Sequence, residues 1–194
     1  MAARVGLDRR RVVDAAIELL EQHRHPDTLA LADVAARLGV RTQSLYAHVD
    51  GAEGLRRELA LRGLQTLAEQ LTLAGVGRAG PDAVDAIVRA WLSFAVEHPG
   101  LYAASLRAPG DDAEVRTAIA AAMTPLELIF RSFGLNGDDA AHWYRTIFAC
   151  VHGFAVLRSD GLFTMPVDPD ETATRMVRML VRGIELDAGR AATR

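Results

Sequence analysis

The sequence predicts an all-α protein, on three observations. Alanine and leucine dominate the composition, and both favour helices. Aromatics make up only 6% of the 194 residues, and no window alternates β-branched and aromatic side chains as a strand would. Apolar residues recur instead at three- and four-residue spacing, in blocks parted by Gly, Pro and Asp. With 50% hydrophobic residues the chain can bury a full core.

The first predicted helix runs from Arg9 to His23, with Val13, Ala16, Ile17 and Leu20 as its apolar stripe and Asp8 as its cap. His25-Pro26-Asp27 ends it. A short helix over Ala30–Leu38 follows, then Gly39, which tolerates the positive φ of a tight turn. A third helix is expected over Thr42–Val49, closed by Asp50-Gly51. Three short helices with a glycine turn between the last two is the plan of a helix-turn-helix.

Beyond it, a long helix is predicted over Glu53–Ala74. A glycine-rich loop leads to Pro81, which suits the first turn of the next helix. That helix carries Val84, Ile87, Val88, Trp91, Leu92 and Phe94 and stops near His98-Pro99. Further helices are expected over Leu101–Arg107, Asp112–Phe133 with Pro125 inside, Asp139–Ser159 and Pro169–Asp187. The tail Ala188–Arg194 is expected to be disordered. Residues 1–52 are read as one domain and 53–194 as a second, a helical bundle.

Composition narrows function. Net charge is −3, so no global basic excess points to nucleic acid. All basic residues are arginine. Residues 1–62 hold ten arginines against nine acids, and 63–194 hold twelve against sixteen. The local bias is at the start, where Arg4, Arg9, Arg10 and Arg11 face only Asp8. Cys150 is the single cysteine, which excludes an intrachain disulfide. Without an N-terminal apolar stretch or a membrane-length apolar run, a cytoplasmic protein is expected.

The informative stretch is Leu29–Leu55. Leu45 and Val49 lie four apart and can dock a helix on its module. Arg41, Thr42, Gln43 and Ser44 cluster at the other end, where recognition helices meet base edges. Arginine pairs with guanine and glutamine with adenine. The run Val34-Ala35, Leu38-Gly39-Val40, Leu45-Tyr46-Ala47-His48-Val49 resembles the TetR family of regulators, as does Val13-Asp14-Ala15-Ala16. The resemblance implies a homodimeric DNA-binding regulator, a repressor, released from palindromic double-stranded operator DNA by a small molecule. It implies backbone contacts from Tyr46 and His48. The chain departs from the family at three positions. Ala30 stands where Thr or Ser caps the second helix, Arg41 where Ser is common, and Ala52 where a phosphate-holding lysine begins the long helix. The alternative is a small-molecule sensor that has lost specific DNA binding.

In the second domain, Phe94–Tyr102 and Val151-His152-Gly153 resemble the family variant named for a Trp-His-Gly motif, with Val151 in place of the Trp. Dimerisation by the last two helices is implied, with Trp143, Ile147 and Phe154 on one stripe and Val177, Leu180 and Ile184 on the other. Both stripes fit an intrachain core equally well. Trp91, Phe94, Tyr102, Met123, Phe130, Phe148 and His152 are candidates for an apolar or aromatic ligand, and each also fits plain core.

Other signals are set aside. Gly75-x-Gly77-x-x-Gly80 spells a dinucleotide fingerprint, but a helix precedes it and Pro81 follows. Cys150 with His152, and His23 with His25, lack zinc spacing. No catalytic constellation, cofactor or metal is expected, so an enzyme is not.

Overall fold

The computed structural model describes residues 6–23 and 26–191; Arg4, His25 and the last three residues of the tail lie outside them. Among the described residues there are helices and turns and no strand. Eight α-helices follow in order: α1 (Arg9–His23), α2 (Leu31–Leu38), α3 (Gly51–Gly75), α4 (Gly80–Glu97), α5 (Pro99–Ser105), α6 (Ala113–Ser132), α7 (Gly137–Ser159) and α8 (Pro169–Ala191). By packing the chain forms two compact units: residues 1–64 with 98–116, and residues 65–97 with 117–194. These do not coincide with the division at residue 52 read from the sequence. The difference arises because α5 and the turn after it pack on α1 rather than on the later helices.

The first unit is built around α1, α2 and a tight turn over Thr42–Ala47. Asp8 caps α1, its Oδ1 accepting the Arg11 N–H at 2.8 Å. Val12, Ala16, Leu20, Val34, Leu45 and Leu59 form the centre of the core, none with measurable exposure. Gly39 adopts φ 66°, and the Val40 N–H returns to the Ala35 carbonyl at 3.0 Å, which closes α2 and redirects the chain. The expected third α-helix is a 3₁₀ turn ending at Ala47, held by Ser44 N–H to Arg41 O (2.9 Å) and His48 N–H to Leu45 O (2.9 Å). Short segments pinned by turns at both ends favour these tighter bonds.

The unit's second half comes from far along the chain. The Glu21 carboxylate of α1 accepts the Gly100 and Leu101 N–H groups, at 3.0 and 3.2 Å, and so satisfies the first turn of α5. Two glycines make the approach possible. A Cβ on Gly100 would collide with the Leu20 carbonyl, and one on Gly63 would lie 2.8 Å from the Leu101 oxygen. Helix α5 starts at Pro99, two residues before the sequence expectation, because proline at N1 lacks only a donor that has no helical partner.

In the second unit α4 packs against α7 and α8. Ile87, Val88, Phe94, Phe130, Ile147, Val151, Val177 and Ile184 are fully buried. Trp143 of α7 lies over Gly183 of α8, where a Cβ would sit 2.5 Å from its ring, and its indole N–H donates to Asp187 at 3.1 Å. Helix α8 continues to Ala191 rather than ending at Asp187, so the expected disordered tail is helical as far as it is described. The glycine-rich segment after α3 is a short interhelical turn.

Candidate nucleic-acid interface and effector cavity

The turn over Thr42–Ala47 divides its side chains sharply. Leu45 is fully buried and Val49 nearly so. Arg41, Gln43, Ser44 and Tyr46 are exposed, and Thr42 and His48 half-exposed. Tyr46 shows 61% of its surface, so it is no core aromatic. Arg41 makes no side-chain hydrogen bond or ion pair among the described residues. The six residues expected to meet DNA therefore lie on one short segment, backed by two apolar anchors.

Beside it is a polar recess of about 410 Å³ whose walls include Arg9, Tyr46, His48, Asp50, Arg57 and Glu58. The Ala30 position is extended (φ −93°, ψ 145°) and has no side-chain oxygen to cap α2. Asp33 supplies half of the missing cap, its carboxylate accepting the Ala30 N–H at 3.4 Å. Ala52 packs partly against the core of this unit.

The expected ligand residues do not form one site. Trp91, Phe148 and His152 come together. The rings of Trp91 and Phe148 are 5.8 Å apart and those of Phe148 and His152 also 5.8 Å. Tyr144 joins them, 5.7 Å from Trp91 and 6.4 Å from Phe148. The sequence reading missed Tyr144, although Tyr144, Phe148 and His152 recur every four residues on α7 and so share a face. Met123 and Phe130 meet Tyr144 at a cavity of about 300 Å³ rimmed by Glu127, Arg131 and Asn136. Phe94 is buried in the core, and Tyr102 is buried in the first unit, with α5.

Two polar groups here are desolvated. The Trp91 indole N–H is buried and has no acceptor among the described residues. Burial also pushes the Tyr144 phenol above its usual pKa. A second, apolar cavity of about 410 Å³ lies among Gly75, Val76, Ile87, Pro125, Leu128 and Ile129.

Most of the expected dimerisation residues point into the second unit. Ile147, Val177 and Ile184 have no exposed surface, Leu180 has 1% and Phe154 5%. They are part of the buried core of the second unit. Trp143 is half-buried and tied to Asp187. The large apolar side chains exposed on these two helices, among the described residues, are Val156 and Leu157 on α7, and Met179 and Leu186 on α8.

A polar recognition segment behind an αL glycine, in an all-helical chain, defines a helix-turn-helix protein. The comparisons with known proteins agree. Residues 84–180 match the family model described as tetracyclin repressor-like, C-terminal domain. The HTH-type transcriptional regulator Rv0681 of Mycobacterium tuberculosis is 35% identical over 92% of this chain and 82% of its own length. YobS of Bacillus subtilis, also an HTH-type transcriptional regulator, is 30% identical over 95% of this chain and 96% of its own. A solved structure from Rhodococcus sp. RHA1, of a protein of unknown function, superposes with a TM-score of 0.78 at 26% identity, covering 94% of this chain and 98% of that one. A TetR-family regulatory protein from Rhodococcus RHA1 shares the fold with a TM-score of 0.71 at 18% identity, over 91% and 96% of the two chains.

The chain belongs to the TetR family of transcriptional regulators. Proteins of this family are non-enzymatic DNA-binding transcription factors that act as dimers and bind small molecules. No described helix is long and apolar enough to cross a membrane.

Proposed function

We propose that this regulator is a repressor that binds a palindromic operator as a homodimer and leaves it when a small apolar or aromatic effector binds. Arg41, Thr42, Gln43 and Ser44 meet base edges, and Tyr46 and His48 hold phosphates. The observation that carries the reading is the exposed polar turn mounted on buried Leu45 and Val49. Base edges in the major groove are read by side chains presented in this way.

A second copy would cover the outer faces of α7 and α8. On α8, Met179 and Leu186 are both well exposed and lie seven residues apart, on one face. On α7, exposed Ala149 and Val156 have the same spacing. The domains then divide by task, with residues 1–52 reading DNA and 53–194 serving ligand binding and dimerisation. As a DNA regulator the protein works in the cytoplasm.

The effector would enter the cavity walled by Met123, Phe130 and Tyr144, against the aromatic ladder behind it. Apolar walls with a few polar rim groups suit a small amphipathic molecule. An effector acts by preferring the state that no longer fits two half-sites, with coupling of typically ~1–3 kcal/mol. Helix α3 contributes residues to both packing units and is the element through which this preference would be felt.

The test is a titration against DNA upstream of the protein's own gene, with excess nonspecific competitor, followed by selection from random DNA. Protection of a near-palindrome supports the reading. If binding to every sequence is no tighter than to competitor, the chain is a sensor without specific DNA binding, and Ala30 and Ala52 are where that loss is visible.

A further inference from the structure

We infer that Arg9, at the start of α1, is a phosphate-contacting residue of the DNA interface, a role outside the recognition turn itself. The inference rests on the DNA-binding reading above. Arg9, Arg41, Arg56 and Arg57 are four of the arginines that flank the turn in sequence. Arg57 is committed, with Nε on Asp112 at 2.5 Å and Nη2 on Glu114 at 2.6 Å. Arg56 donates to Glu53 at 3.2 Å and is 33% exposed. Arg41 is exposed but has nothing that orients it.

Arg9 alone of the four is both exposed and aimed. Its side chain keeps 67% of its surface. Its Nε donates to the His48 carbonyl at 3.3 Å, which fixes the guanidinium at the C-terminal end of the recognition turn. Nη1 reaches Glu58 at a long 3.5 Å, and Glu58 faces Arg57 as well, at 3.6 Å. Nη2 has no partner among the described residues. Arg9, Tyr46 and His48 all line the same recess, together with Arg57 and the acids Asp50 and Glu58. Residues with side chains able to donate around one recess suit a phosphodiester oxygen, and a planar guanidinium suits it better than an ammonium would. The nearby acids limit the strength of the contact without filling its free donors.

The test uses counterion release, which counts phosphate contacts. The full-length protein is titrated with a short random-sequence duplex over about 50–200 mM salt, where each contact contributes roughly 0.9 to the slope of log K against log salt. Arg9→Ala is expected to lower that slope by about one, Arg9→Lys to keep it, and Arg89→Ala on α4 to leave it unchanged. Thermal melting confirms that each variant is folded. An Arg9→Ala protein that binds more weakly but with the wild-type slope would overturn the inference, because loss of the His48 contact alone changes affinity and not the number of ions released. Equal slope loss in Arg9→Ala and Arg9→Lys would overturn it too. A wild-type protein that binds no duplex at low salt would remove the DNA-binding reading itself.

Discussion

Arg57 and Asp112, 55 residues apart, are joined by two hydrogen bonds, Nε to Oδ2 at 2.5 Å and Nη2 to Oδ1 at 3.2 Å. Asp112 also caps α6, its Oδ1 accepting the Glu114 and Val115 N–H groups at 3.0 and 3.2 Å. One carboxylate thus fixes the start of one helix against the side of another.

That arrangement makes stability depend on acid. The Arg57 guanidinium, then the two backbone donors, hold the Asp112 carboxyl down to about 2 from its ordinary 3.8. A depressed folded pKa stabilises the folded state above the unfolded pKa and ceases to do so as pH falls through the folded one. The contribution is therefore full above about pH 5 and declines between about pH 4 and 2. Urea melts of wild type and Asp112→Asn should converge as pH falls through that window. Curves that stay parallel would mean that Asp112 is not held this way.

Gly100 and Gly189 give opposite expectations for the same substitution. At Gly100 a new methyl meets the backbone of Leu20, which has no rotamer to yield. Gly100→Ala should destabilise by at least the ~1–3 kcal/mol of ordinary overpacking. A Cβ at Gly189, inside α8, meets nothing within 4 Å. Gly189→Ala should stabilise by up to ~1 kcal/mol through helix propensity. Chemical denaturation measures both, and a neutral Gly100→Ala would show that α5 does not approach α1 this closely.

In the recognition turn, stability and DNA binding should separate by residue. Leu45→Ala empties a fully buried site and should cost ~2–5 kcal/mol of folding stability. Gln43→Ala touches no core and should leave the melting temperature in place. It should weaken specific DNA binding by ~1–3 kcal/mol if Gln43 reads a base. Operator titrations of folded Gln43→Ala at wild-type affinity would exclude Gln43 from readout.

Trp91→Phe should not destabilise as a large-to-small core change normally does. The indole N–H is buried without an acceptor, and such a group costs ~1–3 kcal/mol. Removing it offsets the lost ring area, so a change within ~1 kcal/mol of wild type is expected. A loss of the size seen for a Trp to Ala change, ~3–5 kcal/mol, would show that the N–H has a partner, such as a buried water.

Much of this protein was legible in order along the chain. Asp8 as a cap, Gly39 at positive φ, Leu45 and Val49 turned inward and Tyr46 turned outward all follow from spacing and local backbone chemistry, which short-range sequence determines. Gly39, Leu45, Tyr46 and Val49 also belong to the run on which the TetR resemblance rested. Tertiary structure alone decided what covers each apolar stripe. Ile147, Phe154, Val177, Leu180 and Ile184 read equally well as dimer face or core, because periodicity marks a face as apolar and says nothing about its cover. Only the packing of whole helices shows them buried within one chain. The same holds for the commitment of Arg57 to Asp112, the pairing of Trp91 with Tyr144 and the placement of Pro99–Ser105 against α1. Each joins residues tens of positions apart, and such contacts are set by the packing of whole helices rather than by their own sequences.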